Sequence, residues 1–397
     1  MSAVGELKNP GKILTPEFLV LNAVLFISYC NVAVFFEFHK HLAALPIAPG
    51  WHGILIAFFS LVVLALRPVI SPFFTPANAR FWLAVSSAGL VPVMFLYGPA
   101  RDAWNMALVR GIHGAVYVVM VTALTSRIVA CIPKDRSAQA FGLISVMTLF
   151  PYAVVPPLLE PLTRWAGGFS RVLELSSLLF LLVFPLLPVI KKPEGDTGAS
   201  TGKFHSSDLW ENLRDPSVIL VLLLSLLIWT TFTPVFYFLK DYGRGIGISN
   251  PGWFFTLSTF TEIGVRLFAG SFFDRMDKRK LLAFSMVWLG LGYPAILCFR
   301  GDIPFSLLGL YMGLGWGVAL PVLSGLVFDV SAPRFKALNT NLSMVMFQGG
   351  FFLGPLAGGA VLVHWGYPAL YSVCAFLQIA GAAAALMVAI PSSVQRE

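Results

Sequence analysis

The run GSFFDRMDKRK, Gly270–Lys280, puts Asp274, Arg275, Asp277, Lys278, Arg279 and Lys280 into eleven residues of a 397-residue chain that is only 12% charged. Its frame occurs twice. RPVISPFFTPANARFWLAVS (Arg67–Ser86) aligns with RLFAGSFFDRMDKRKLLAFS (Arg266–Ser285) at an offset of 199, pairing Arg67 with Arg266, Phe73 with Phe272, Phe74 with Phe273 and Arg80 with Arg279. Further out, PGW at Pro49–Trp51 returns at Pro251–Trp253, and FHK at Phe38–Lys40 returns as FLK at Phe238–Lys240. PKDRSA from Pro133 has a looser echo in PRFKAL from Pro333. The chain is two copies of one design. A basic loop recurs in both, and its acidic residues survive only in the second.

The medium around that design follows from composition. The chain is 57% hydrophobic with a mean hydropathy of +0.80, whereas soluble domains carry about 25% charged residues. Twelve apolar runs can be read, at about 18–38, 52–72, 81–98, 104–128, 138–159, 169–190, 217–239, 253–272, 281–299, 303–328, 338–363 and 368–390. Each has roughly the length a helix needs to cross about 30 Å of hydrocarbon. Lipid leaves only helices or closed barrels, and runs such as SLLFLLVFPLLPVI (Ser177–Ile190) lack the alternation of barrel strands. The predicted fold is an all-α membrane protein with twelve transmembrane helices in two pseudo-symmetric six-helix bundles. The polar stretch from Lys191 to Ser217 divides it into a first bundle (1–190), a linker (191–216) and a second bundle (217–397).

Charge then sets orientation. With both termini inside, sixteen Lys and Arg fall in the inner connections and six (Lys40, Arg101, Arg164, Lys240, Arg244 and Arg300) in the outer ones. The positive-inside rule therefore predicts cytoplasmic termini in an inner or plasma membrane, with the +8 net charge topogenic rather than a mark of nucleic-acid binding. The first sixteen residues show no cleavage site behind a short apolar core, so the first helix is expected to be retained. Cys30, Cys131, Cys298 and Cys374 lie far apart, and no metal-ligand spacing or Walker loop is present. No metal, no cofactor and no enzyme activity are expected. GLGWG (Gly313–Gly317) lies inside an apolar run and reads as helix-packing glycines.

Over the whole chain these residues resemble the major facilitator superfamily. GSFFDRMDKRK resembles that family's loop signature, with Gly270, Asp274, Arg275 and Arg279 in place and Asp277 where a second glycine is usual. RGIHG (Arg110–Gly114) resembles the arginine–x–x–glutamine–glycine motif of the fourth helix, with His113 in the glutamine position. GFFLGPLAGG (Gly350–Gly359) resembles the glycine–proline signature that antiporters carry in the fifth. The resemblance implies secondary active transport of a small molecule by alternating access, with protons as coupling ion and a monomer in the bilayer. Efflux is the first expectation, from the drug and sugar exporter branch. It also implies a conformational latch at Gly270, Asp274, Arg275 and Arg279, with Arg67 in the degenerate copy. The run from Glu262 to Gly270 is similar to the eighth helix of monocarboxylate transporters, so proton-linked transport of an organic anion is the alternative. A non-transporting receptor or intramembrane enzyme is a third.

Ionisable groups inside spans are costly and default to site candidates. Glu262 and Arg266 share one helix face, with Glu262 about 13–14 Å deep if the helix enters near Trp253. They form either a structural pair or the coupling and substrate site. Arg110 and His113 in the fourth run are candidates for the same roles, against a reading in which Arg110 bonds helix carbonyls. Glu37, beside His39, Lys40 and His41, is either a rim cluster or a proton relay. Asn31, Tyr237, Trp229, Trp316 and Gln348 are cavity candidates or packing residues. A cysteine introduced into the 191–216 linker should react with impermeant reagent only from the cytoplasm; reaction from outside would break the twelve-helix count.

Overall fold

The computed structural model describes residues 14–132, 137–191, 206–273 and 276–389, and shows helices wherever the apolar runs predict them. They are α1 (Pro16–Val34), α2 (Pro49–Ile70), α3 (Ala79–Phe95), α4 (Ala103–Ala130), α5 (Ser137–Ala166) and α6 (Phe169–Ser177) in the first half. The second half has α7 (Pro216–Gly245), α8 (Gly252–Phe273), α9 (Lys278–Cys298), α10 (Asp302–Val330), and α11 and α12, the two arms of one trace, Lys336–Leu386. That trace reverses at Gly366, whose φ of 76° is open to glycine alone at little cost. Past Ser177, α6 continues to Val189 in short 3₁₀ and α turns, where Pro185 and Pro188 remove amide donors. α1 runs on through a 3₁₀ turn, Phe35–Glu37, into a short helix, Phe38–Ala43.

Local sequence sets where the spans begin. Thr15, Asp102, Asp215 and Asp277 each accept from a backbone amide of the first turn of α1, α4, α7 and α9. Asp277 thus has a reason of its own to replace glycine. It caps α9 through the Arg279 amide at 3.0 Å and takes the Arg279 side chain at 3.0 and 3.1 Å. Those bonds hold its carboxyl below the usual carboxylate range. Arg279 also donates to the Val388 carbonyl at 3.3 Å, a contact within the second bundle. Asp274 and Arg275 of the expected latch lie outside the described residues. Gly270 is in the last turns of α8, and Arg67 is half-buried in the last turn of α2, near Tyr29 and Tyr117.

Glycine at intervals of four brings helix backbones together, as small residues do in lipid. Gly309, Gly313 and Gly317 of α10 face Phe254, Ser258 and Glu262 of α8; a Cβ on Gly313 would lie 2.3 Å from the Ser258 carbonyl. Gly350 and Gly354 of α11 meet Trp229, Thr230 and Thr233 of α7 in the same way. The antiporter-like run therefore serves packing in this chain. Gly359 also crosses Gly53 of α2, backbone on backbone, which is one seam between the halves.

The second seam joins α5 to α8. Pro157 and Pro161 have no amide hydrogen, so the carbonyls of Ala153 and Pro157, four residues earlier, are left open. Thr256 donates to the Ala153 carbonyl at 2.6 Å, and Asn250 to that of Pro157 at 2.9 Å. Gly252 sits so close that a Cβ there would lie 2.5 Å from Pro157. Gly313→Ala should destabilise the protein by about 1–3 kcal/mol, the usual cost of overpacking, read as a lower unfolding temperature in detergent. Gly264→Ala, where a Cβ meets nothing within 4 Å, should leave that temperature unchanged or slightly raised.

Candidate substrate cavity between the bundles

A cavity of about 590 Å³ lies where the two bundles face each other, bounded by α1 and α5 on one side and α7, α8, α10 and α11 on the other. Its walls are largely apolar and carry ten aromatic side chains. Trp229 meets Phe347 edge-on at 4.5 Å, and Phe232 meets Trp316 at 4.9 Å. At the α1–α2 end the cavity is roofed by Phe36 and Phe236, stacked across the bundles at 3.8 Å, with Tyr152 and Phe255 set edge-on against Phe36. At the other end, toward the linker, the lining passes through Ser145, Ser324 and Ser343 to the exposed Leu267 and Met344. The cavity is closed at the first end and open at the second.

Glu262 and Arg266 are the only charged residues in the described lining. The helical spacing of four puts both on one face of α8, and Gly317 admits the α8 backbone at Glu262. The Glu262 carboxylate is 4% exposed and lies 2.5 Å from Arg266 Nη2. Arg266 Nη1 donates to Ser145 Oγ of α5 at 2.6 Å, so one arginine joins the acid to the opposite bundle. Its Nε has no acceptor among the described residues. Several hydroxyls, among them Ser145, Thr148, Ser258 and Thr259, complete the polar part of the lining.

Of the other candidates, Trp316 lines the cavity; Asn31, Tyr237, Arg110, His113, Glu37 and Gln348 are absent from its described lining. Arg110 is buried among Phe35, Phe38 and Phe59, 4.8–5.0 Å from each ring centre. It donates to the Leu55 and Ile56 carbonyls of α2 at 3.0 and 2.7 Å. His113 is bonded on both nitrogens, to Tyr97 Oη at 3.0 Å and Asn31 Oδ1 at 3.1 Å. The RGIHG motif thus staples α4 to α1, α2 and the end of α3. Tyr237 lies behind Phe236, and Gln348 is half-buried beside the lining residue Phe347. Glu37, read as a rim residue or a relay, is 4% exposed above the roof, because two cations of α7 reach it. Sequence reasoning missed the roof itself and Ser145, which carry no charge to mark them.

The sequence model of the Major Facilitator Superfamily matches residues 219–396. The multi-drug resistance efflux pump PmrA of Streptococcus pneumoniae is 22% identical over 343 residues, covering 80% of this chain and 82% of the relative. Multidrug resistance protein MdtG of Escherichia coli is 22% identical over 338 residues, with 82% and 81% covered. Among solved structures, the nucleoside transporter NupG superposes with a TM-score of 0.73 at 13% identity, covering 94% of this chain and 98% of its own. A bacterial homologue of the human lysosomal transporter Spinster, inward-facing and unoccupied, gives 0.72 at 13% identity, with 94% of each chain covered.

The chain thus resembles the major facilitator superfamily, through the match of its second half to the family model and through its fold. The described residues include long apolar helices able to cross a membrane, and the proteins the chain resembles are transporters. Arg110 spends its described hydrogen bonds on two carbonyls of α2, so Arg110→Gln should lower folded yield and unfolding temperature. Its folded fraction should keep substrate affinity within about threefold, since the bonds that Arg110 makes, roughly 1–3 kcal/mol for each left unmade, are to α2. A selective fall in affinity in well-folded protein would return Arg110 to the site.

Proposed function

We propose that this protein is a proton-coupled exporter of the facilitator type that moves a largely apolar small organic solute by alternating access. The supporting observation is the cavity's charge arrangement: aromatic walls around a single carboxylate that is already neutralised by Arg266 at 2.5 Å. With the linker end cytoplasmic, as the basic residues favour, solute enters from the cytoplasm and meets Trp229, Phe232, Trp316 and Phe351. The relative PmrA, a multi-drug resistance efflux pump, and the multidrug resistance protein MdtG agree with a site built from ring surface. The organic-anion alternative is less well supported, because a carboxylate substrate needs a free guanidinium fork. Here two of the three Arg266 nitrogens are taken, by Glu262 and Ser145.

The coupling step is local. Ionised Glu262 holds Arg266, and through it Ser145 of the opposite bundle. A proton on Glu262 removes the charge that positions Arg266, loosening the α5–α8 contact at the depth of the solute. Proton and solute thereby act on the same side chains, which exchange of one for the other requires. Reconstituted Glu262→Gln protein should lose pH-gradient-driven transport of fluorescent or radiolabelled organic solutes while keeping exchange at equal pH. Full gradient-driven transport by this variant would make the pair structural and end the coupling assignment.

A further inference from the structure

Directly above the Phe36–Phe236 roof, six ionisable side chains meet from both bundles. Glu37 and His39 come from the extension of α1, Glu160 from α5, and Lys240, Asp241 and Arg244 from the last turns of α7. Glu37 is the centre. Its Oε1 lies 2.5 Å from Lys240 Nζ and also takes Arg244 Nη2. Arg244 reaches Glu160 at 3.6 Å and Asp241 at 3.2 Å, and His39 Nδ1 lies 2.5 Å from Asp241 Oδ2. Lys240, 1% exposed, donates in addition to the Pro156 carbonyl at 2.7 Å. His52 of α2 faces His39 at 5.4 Å between ring centres, and Tyr367 of α12 lies near enough to Asp241 to interact with its charge.

Nearly every pairing here crosses from one bundle to the other, Arg244–Asp241 excepted. Charges buried this deeply persist only with their partners in place, since an uncompensated buried ion is strongly disfavoured. When this end opens, water hydrates each ion separately and the pairing dissolves. The cluster therefore favours the closed arrangement, and Glu37 carries most of that preference because one carboxylate serves two cations. We propose that Glu37, Lys240 and Arg244 form the bolt of the outer gate, whose release is a required step in opening the cavity to the outside. Phe36 adjoins Glu37 in sequence, and Phe236 is one helical turn before Lys240. A solute pressing on the roof thus acts on both leaves of the bolt.

The proposal rests on the alternating-access reading, but its test needs neither solute nor proton gradient. Spin labels at Ala44→Cys and Gly245→Cys, both exposed at this end, would be placed in full-length protein whose four native cysteines are replaced by alanine. Double electron–electron resonance then reports the outer separation. Glu37→Gln should add a longer distance, raising the open-to-closed ratio by about tenfold or more, while Glu160→Gln, at the half-exposed edge, should change it little. If Glu37→Gln is not monodisperse, Arg244→Gln decides, since that side chain is partly exposed and its removal leaves Lys240 paired. A single unchanged short distance in the folded variant overturns the bolt. Failure of coupling at Glu262 with these distances shifted as expected, or the reverse, separates this proposal from the transport mechanism.

Discussion

Hydrocarbon offers a buried polar side chain nothing to bond to, so each one present ties together the helices that satisfy it. Arg110 fixes α4 to two carbonyls of α2, and His113 fixes it to Asn31 of α1 and to Tyr97. In the second bundle, Tyr293 donates to the Thr231 carbonyl at 2.8 Å and Gln378 to the Thr231 hydroxyl at 2.7 Å, joining α9 and α12 to α7. Such bonds make each bundle a unit. Bonds of the same kind also run between the bundles, through Thr256, Asn250, Lys240 and Arg266. Under the alternating access proposed above, the first set survives a change of state and the second does not, a distinction of position and not of chemistry.

The cavity follows from the same constraint. Where the bundles diverge toward the linker end, aromatic rings can face an open space because they leave no donor or acceptor unpaired. Where they converge, backbone meets backbone at Gly53, Gly252 and Gly359. Glu262 stands between these regimes. It is held by a glycine stripe behind it and by Arg266 one turn away, and it is the lone acid in the described lining to meet whatever fills the space.

Much of this is legible from residue type and period. Apolar run length marks twelve crossings, and the 199-residue echo marks two bundles. The spacing of Glu262 and Arg266 places both on one face. What stays hidden depends on partners distant in the chain. Lys240 reads as an outer-loop cation because the apolar pattern stops at Leu239; in fact α7 continues to Gly245, and Glu37 of the other half pairs with Lys240 inside the protein. The FHK and FLK echo points to this place without distinguishing its members, for Lys40 is exposed while Lys240 is buried. His113 has the composition of a titrating group, and only tertiary contacts reveal both nitrogens engaged. Gln348 and Phe347 are neighbours in one helix, and a rotation of about 100° between them decides which one meets the cavity.

Gly366 has a bearing on how α11 can move. α11 and α12 are joined through one residue with positive φ, flanked by Trp365 and followed by Pro368, with no free loop between the arms. So short a turn leaves the two arms little freedom to slide or tilt separately. The glycine face of α11 meets α2 and α7 with α12 attached to it, so a displacement of one arm is carried to the other.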